Sequence, residues 1–354
     1  MQGNILFLKL VFLLLWLLST SSFVQANDNI TREALRGWPE IIYAAAKGKH
    51  DEVLEHIETG DNVNSVDEER RTALMYATRH GYTDIVKTLI KHGANVNSRD
   101  TKGRTPLIWA AKGGYTSVAP LLLKKRAKLE TADKQGKTAF YWAVQRNYPK
   151  FMDLLLKHNA NPNQTDKNGL TPVMTALHLG YISSVEKLID LGVNVNIRDK
   201  QGHNLLWHAM THNHEKLVRR LLPLYSKVNE NDREGLSLLH AAAKTGSITV
   251  AQHLIKKNAN VSHRSKQGNT PLMLAAAFGH SNIVNLLIEN GADVNTRNKH
   301  RNTALHLAAE SGHQQVIKTL LSHNATKRIK NSQGVRPIDL ARTEKHKASE
   351  ALLK

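Results

Sequence analysis

The sequence predicts an all-α solenoid of stacked helix–turn–helix units that are joined by hairpin-like finger loops. Three observations predict this fold class. Similar segments recur at a constant interval, each segment opens with residues that start a helix, and a second apolar stripe at helical spacing follows within each segment. A unit of this size cannot bury its apolar face alone, so neighbouring units must stack to build a shared core.

The repeat is defined by short anchor segments that keep one register. "TALMYA", "TPLIWA", "TAFYWA" and "TPVMTA" follow one another at a constant step, and the same step continues to the end of the chain without an insertion. The first residues of the anchors are Pro39, Thr72, Thr105, Thr138, Thr171, Asn204, Ser237, Thr270, Thr303 and Arg336. We therefore expect ten units within residues 38–354.

Each anchor predicts the start of a first helix. A Thr or Ser side chain there accepts a hydrogen bond from an unpaired N–H, and a Pro at the next position fits the first helical turn. The anchor ends in alanine in every unit, and this small residue lets neighbouring helices approach closely. These alanines are Ala44, Ala77, Ala110, Ala143, Ala176, Ala209, Ala242, Ala275, Ala308 and Ala341.

A second helix follows in each unit and carries a buried stripe such as Ile283, Val284, Leu287 and Ile288. It usually ends at a residue that tolerates the left-handed conformation of a helix cap. Those residues are Gly60, Gly93, Asn159, Gly192, Asn258, Gly291 and Asn324. The segment after it predicts a turn or hairpin that reaches the next unit.

This pattern resembles the ankyrin repeat, whose signature is a T-P-L-H-x-A core at a period of about 33 residues. Residues 269–295, "NTPLMLAAAFGHSNIVNLLIENGADVN", are close to the family consensus over their whole length. The resemblance covers about nine-tenths of the chain and implies an all-α ankyrin-repeat solenoid. It also implies that the protein binds partners through its finger loops and the exposed face of its first helices.

Two regions depart from the repeat. Within residues 204–236, Asn204 replaces the Thr, Leu205 replaces the Pro, Pro223 lies late in the second helix, and Tyr225 occupies the Gly position. Sequence drift explains this unit, and a bend or hinge near residues 223–226 is the alternative. Arg126 also stands where Gly or Asn is usual. The last unit carries charges where inner units are apolar, as expected of a C-terminal cap.

The N-terminal segment predicts an exported protein. Lys9 precedes an unbroken apolar run, Leu10–Leu18, and small, mostly polar residues follow up to Ala26. This is the layout of a signal peptide in residues 1–26, which would be cleaved before Asn27 to leave a polar lead-in over residues 27–37. The mature protein would then be periplasmic or secreted. The alternatives are a membrane anchor over residues 5–24 and, less favoured, a buried helix.

Composition and motifs limit the classes of function that the sequence supports. The chain has 49 Lys and Arg against 30 Asp and Glu, a formal charge of +19, so its surface should attract anionic partners. It has no cysteine, which excludes disulfides, thiolate metal sites and cysteine nucleophiles. It also lacks a P-loop, a G-x-S-x-G, an H-E-x-x-H and a dinucleotide fingerprint. We expect no enzyme, no cofactor and no small-molecule substrate.

The predicted finger loops are rich in cations, which predicts a basic edge. The second helices are basic too, so a solvated surface without a specific role is the alternative. Our candidate residues in the fingers are Arg99, Lys102, Arg104, Lys134, Lys137, Arg198, Lys200, Arg264, Lys266, Arg297, Lys299 and Arg301, and Lys167 and Arg233 lie in the same loops.

A second candidate surface combines rings and cations on three successive first helices. Tyr76, Trp109 and Trp142 share one position of the repeat, and Arg79, Lys112 and Arg146 follow them three or four residues later on the same helical side. Such a ladder suits protein hot spots, sugar faces or nucleic-acid bases. The alternative is that the rings fill space between units, where the consensus often has Leu.

Among 19 histidines, His208 and His212 are four residues apart on a predicted helix, and His214 lies just beyond. No acid apart from Glu215 lies nearby in sequence, so we predict no metal site. The sequence thus predicts an exported, monomeric binding scaffold for another protein with an acidic surface. The alternative is a binder of an anionic polymer, namely glycan, lipopolysaccharide or nucleic acid.

Overall fold

The structure, a computed structural model, describes residues 37–225 and 227–354. The predicted signal peptide, residues 27–36 of the lead-in and Ser226 lie outside the described residues. Within the described ranges the regular structure is helical, and the helices form ten consecutive pairs. None of the helices in these ranges has the length and apolar character that a membrane span requires.

Each pair consists of two short helices in sequence order. The first helices are α1 Glu40–Lys47, α3 Ala73–His80, α5 Pro106–Gly113, α7 Ala139–Gln145, α9 Pro172–His178, α11 Leu205–Thr211, α13 Leu238–Thr245, α15 Pro271–Ala277, α17 Ala304–Glu310 and α19 Pro337–Thr343. The second helices are α2 His50–Glu58, α4 Thr83–Lys91, α6 Ala119–Lys124, α8 Pro149–Lys157, α10 Ile182–Asp190, α12 Glu215–Leu221, α14 Ile248–Lys256, α16 Ser281–Glu289, α18 Gln314–Ser322 and α20 Lys347–Leu353.

The chain divides into two compact parts, which we call the N-terminal part, ending at Lys128, and the C-terminal part, Leu129–Lys354. In each part every first helix packs against its own second helix and against the first helix of the next pair. All ten anchor alanines have no exposed surface, because they lie where first helices meet. The predicted all-α architecture of stacked helix pairs is confirmed within the described residues.

The starts of the first helices follow from the anchor residues. The Thr72, Thr105 and Thr171 hydroxyls each accept a hydrogen bond from the backbone N–H three residues later, at 3.3 Å. Asn204 does the same through its side-chain oxygen, at 3.0 Å from Trp207 N. The replacement of Thr by Asn in this divergent unit therefore preserves the helix cap, since Asn is as good a cap as Thr.

The ends of the second helices differ between regular and divergent units. The seven Gly and Asn residues predicted as caps all have positive φ, and Arg126 has φ 60° although its side chain disfavours that conformation. In the divergent unit, α12 is followed by a 3-10 turn over Leu222–Leu224, and Tyr225 is buried with φ −94°. Pro223 therefore coincides with a local change of helix type, and the hinge stays a prediction.

Hydrogen bonds connect successive loops. The side-chain oxygen of Asn64 accepts from Asn95 N at 2.8 Å, and that of Asn229 accepts from Asn260 N at 2.9 Å, 31 residues further along in each case. Exposed backbone N–H groups in these loops thus find partners in the neighbouring unit. Consequently both the loops and the helices hold neighbouring units together.

Candidate interaction surface

The most regular surface feature of the C-terminal part is a row of cations on its fingers. Its six members recur at the interval of the repeat, one per unit, and all are exposed. We call this set the tip row: Lys134, Lys167, Lys200, Arg233, Lys266 and Lys299. Four of these residues are among the predicted finger candidates, but the shared position emerges only when the fingers are aligned.

The spacing of the tip row is set by the main chain. Lys167 N donates to Gln135 O and Lys200 N donates to Asn168 O, both at 2.8 Å, so each finger is tied to the one before it. Arg233, Lys266 and Lys299 make the same bond at 2.8–3.0 Å. The cationic side chains take no part in these bonds between fingers, because the bonds join backbone N–H and C=O groups.

Glycine permits this close approach of neighbouring fingers. A Cβ on Gly169 would lie 2.8 Å from Lys200 N, and one on Gly136 would lie 2.9 Å from Lys167 N. Both glycines also have φ near 80°, a conformation that side chains disfavour. The neighbouring atoms are backbone, which cannot rotate away, so no other residue fits at these points.

Several other predicted finger cations are engaged within the protein. Arg198 Nε donates to Gly202 O at 2.6 Å, and its guanidinium pairs with Glu230 at 3.2 Å. Arg264 Nη2 donates to Arg297 O at 2.6 Å, and in the N-terminal part Arg99 Nε donates to Gly103 O at 3.2 Å. These cations support the loops. Lys102, Arg297 and Arg301 are exposed, like the tip row.

In three successive units the ring position of the first helix serves a buried carboxylate at the base of the finger. Trp109 Nε1 donates to Asp100 Oδ2 at 3.2 Å, and the Tyr76 hydroxyl donates to Asp67 Oδ2 at 2.9 Å. In the C-terminal part, Trp142 Nε1 donates to Asp133 Oδ2 at 2.9 Å. A buried carboxylate without such donors would be costly.

A cation completes each of these sites in the N-terminal part. Arg104 Nε lies 2.7 Å from Asp100 Oδ2 and Arg71 Nε lies 2.8 Å from Asp67 Oδ2, while neither carboxylate has exposed surface. The Arg104 guanidinium also covers the Trp109 ring at 3.9 Å. Arg71 was not among the predicted residues, although an Asp and an Arg four residues apart at the finger base are visible in the sequence.

Tyr76 and Trp109, with 4% and 6% of their surface exposed, therefore act mainly inside the fold. This arrangement agrees with the alternative that the rings fill space between units. The proton on the Tyr76 hydroxyl is held firmly, since burial raises the pKa of this group well above its ordinary value. A partner could reach only small parts of these two rings.

The cations that follow the rings differ in exposure. Arg79 is half-buried with its guanidinium carbon 5.3 Å from the Trp109 ring, and Lys112 is half-buried too. In the C-terminal part Arg146 is exposed, 6.0 Å from the half-buried Trp142 ring. Lys137 Nζ lies 5.2 Å from the same ring, and burial lowers its pKa despite the nearby Asp166 and Asp133. Of the predicted ladder only Arg146 is exposed, while Arg79, Lys112 and Trp142 are half-buried.

The structure corrects the expectation that His208 has no acid nearby apart from Glu215. Asp199 Oδ2 lies 3.0 Å from His208 Nε2, because the finger folds back onto the start of α11. His178 Nε2 lies 3.1 Å from His208 Nδ1. The pKa of His208 is lowered to about 4, mainly by burial, so this imidazole is neutral at pH 7. His212 instead bonds His208 O through Nδ1 at 2.8 Å.

Comparison with known families agrees with this architecture. A family model that describes three consecutive ankyrin repeats matches five overlapping segments, residues 8–100, 41–133, 98–166, 142–232 and 225–298. A second family model, which describes many ankyrin repeats, matches residues 287–341. Among curated proteins, none matches the chain. Because the matched segments together cover most of its length, the chain belongs to the ankyrin-repeat family.

Proposed function

We propose that the protein is an exported, non-enzymatic scaffold that binds an acidic segment of a partner protein along the tip row. The observation that carries this proposal is the repetition of one exposed cation at one position in six successive units. Ankyrin repeats are generally scaffolds for protein–protein interaction, and they are typically non-enzymatic. A fold of this kind presents its binding residues on its surface.

The spacing of the tip row favours an extended ligand. Packed helices lie roughly 8–10 Å apart, so neighbouring tips should be separated by about that distance. An extended peptide in the polyproline II conformation advances about 3.1 Å per residue with three residues per turn, so every third side chain lies on one face and can meet one cation of the row. We therefore infer a partner segment with a carboxylate at about every third position. The protein acts as a monomer in this interaction.

An anionic polymer is the second candidate, because sulfate or phosphate groups would also fit a row of cations. The two ligands differ in their response to salt. Binding of a polymer through charge alone falls steeply as the salt concentration rises, whereas a peptide with fixed spacing should retain selectivity between sequences.

The test compares two variants with the same change in net charge. In the first, all six residues of the tip row become Gln. In the second, six exposed lysines in the second helices or directly after them become Gln: Lys150, Lys157, Lys216, Lys256, Lys257 and Lys318. The probes are a synthetic peptide of about 16 residues with Asp at every third position, a second peptide of the same composition with its Asp residues clustered, and dextran sulfate.

We expect the tip-row variant to bind the spaced peptide about tenfold or more weakly, and the control variant to bind it nearly as well as the wild type. Equal weakening in both variants would show that net charge alone matters. Preference for dextran sulfate over both peptides would favour the anionic polymer. If neither variant changes the binding of any probe, the binding surface lies elsewhere.

We further propose that residues 1–26 direct export and are then removed. The motivation is the apolar run Leu10–Leu18 followed by small residues up to Ala26. The measurement is the intact mass of the protein recovered from fractionated cells. A soluble periplasmic or secreted species that begins at Asn27 supports cleavage. A membrane-bound species that begins at Met1 would instead make residues 5–24 an anchor.

A further inference from the structure

The divergent unit changes the partners of its finger carboxylate. Asp199, His203 and His208 occupy the repeat positions that hold Asp100, Arg104 and Trp109 three units earlier. At the earlier site an arginine neutralises the buried carboxylate at 2.7 Å and the tryptophan donates to it. In the divergent unit both positions hold imidazoles: His208 bonds Asp199, whereas His203 bonds Asp232. The permanent cation at this position of the fold has therefore been replaced by a group that can bind a metal ion.

The three side chains converge. One ligand atom from each of Asp199, His203 and His208 lies within 4.8 Å of the other two, and Asp199 Oδ2 is 3.0 Å from His208 Nε2. The side chains of Asp199 and His208 are only 8% and 10% exposed. A carboxylate in such a place needs a positive charge or several donors close to it. Asp199 has three neutral partners, Gln201 N at 2.8 Å, His203 N at 2.9 Å and His208 Nε2, but no arginine like the one beside Asp100. Arg198, the neighbouring arginine, pairs with Glu230 instead.

Further groups hold the imidazoles in place. His178 Nε2 lies 3.1 Å from His208 Nδ1, and Asp232 Oδ2 lies 3.1 Å from His203 Nε2. The Trp207 ring stacks on His203, with ring centres 4.3 Å apart. Imidazoles that bind metals are usually oriented by such outer polar partners, and those partners fix the ring geometry.

We propose that Asp199, His203 and His208 bind a divalent transition-metal ion of the zinc class. Two imidazoles and one carboxylate are a common ligand set for such ions. Zn²⁺ bonds of about 2.0–2.1 Å place tetrahedral ligand atoms about 3.3 Å apart, so small side-chain rotations must contract the cluster. Water completes the coordination, while Asp232 remains the outer partner of His203. The ion replaces the hydrogen bond between Asp199 and His208 and supplies the missing positive charge.

Two variants imitate other units of this chain and should therefore fold. Asp199→Asn reproduces Asn298 and Asn331, which stand at the same position and accept the same backbone N–H groups. The double variant His203→Arg with His208→Trp reproduces the partners of Asp100. Replacement of the half-buried His323 by Gln, in another unit of the C-terminal part, is the control for the many other histidines.

The experiment titrates metal-free full-length protein with ZnCl₂, CoCl₂ and MgCl₂ at pH 7.5 and measures heat, thermal midpoint and visible absorption. We expect one tight Zn²⁺ site per chain, a rise in thermal midpoint with Zn²⁺ but not Mg²⁺, and Co²⁺ absorption bands typical of tetrahedral nitrogen and oxygen ligands. Asp199→Asn and the double variant should lose all three signals while keeping the wild-type circular dichroism, and His323→Gln should keep them. Zn²⁺ binding of equal strength in the wild type and in both cluster variants, or no tight site in the wild type, would overturn the proposal.

Discussion

The buried pair of Asp100 and Arg104 offers the sharpest test of how the fingers are stabilised. Replacing Arg104 by Val removes the guanidinium 2.7 Å from a carboxylate that has no exposed surface. Trp109 Nε1 and two backbone N–H groups still donate to Asp100, but none of them carries a full charge. We expect the free energy of unfolding to fall by about 3 kcal/mol, the lower end of the range for breaking a buried ion pair from one side.

A second change should reverse most of that loss. Asp100→Asn together with Arg104→Val reproduces the last unit, where Asn331 and Val335 hold these positions. Asn331 Oδ1 accepts backbone N–H groups from Gln333 and Val335 at 3.0 Å, so the amide can serve the turn without a charge. Because no uncompensated carboxylate remains, the double variant should unfold within about 1 kcal/mol of the wild type.

Urea denaturation followed by circular dichroism gives the global free energies of unfolding, and tryptophan fluorescence includes the signal of Trp109 beside the mutated pair. Hydrogen exchange of the α5 amides localises the effect, because partial unfolding of a repeat protein can escape a global probe. Two results would refute the reasoning: a loss below about 1 kcal/mol for Arg104→Val, or a double variant as unstable as the single one.

Three further predictions concern other parts of the fold. Burial lowers the pKa of His240 from 6.5 to about 4, so between these pH values the unfolded state binds more protons than the folded state. The free energy of unfolding should therefore fall as the pH drops from 6.5 towards 4, by roughly 3 kcal/mol in full. In denaturation experiments across this range, the free energy of unfolding of His240→Met should depend less steeply on pH. Gly169→Ala should cost about 2 kcal/mol or more, because its Cβ meets the Lys200 backbone at 2.8 Å; recovery of wild-type thermal stability in this variant would contradict the close approach. Arg126→Gly should raise the free energy of unfolding by about 1 kcal/mol in urea denaturation by relieving a φ of 60°, while Arg126→Ala should not.

The fold could be predicted from the sequence because its determinants are local and repeated. A helix cap such as Thr105 depends on a residue three positions away, and the packing alanine Ala110 follows five residues after the cap. Ten repetitions of the pattern in one register average out the weak positions. Even Asn204, which breaks the consensus, keeps its chemistry as a cap.

The candidate sites were harder to predict because they depend on how a finger folds back onto the next helix. The fold-back brings Asp199 to His208, nine residues later, whereas a search at helical spacing finds only His212. It also places Asp100 against Trp109 and thereby buries a ring that the helical pattern leaves on an outer face. The exposure of a side chain depends on the residues that pack around it in the folded protein, and the period of the repeat does not predict these contacts.

The backbone bonds between successive fingers have a consequence for avidity. Since Lys200 N is fixed to Asn168 O and Lys167 N to Gln135 O, a ligand that holds one tip finds the next one already in position. Each added contact then benefits from a high effective concentration without an ordering cost for the finger backbone, so only the cationic side chain has to be ordered. Affinity should rise with ligand length until the sixth tip is reached and remain constant beyond it. The number of repeats, rather than the strength of any one contact, would set the range of ligand lengths that the protein distinguishes.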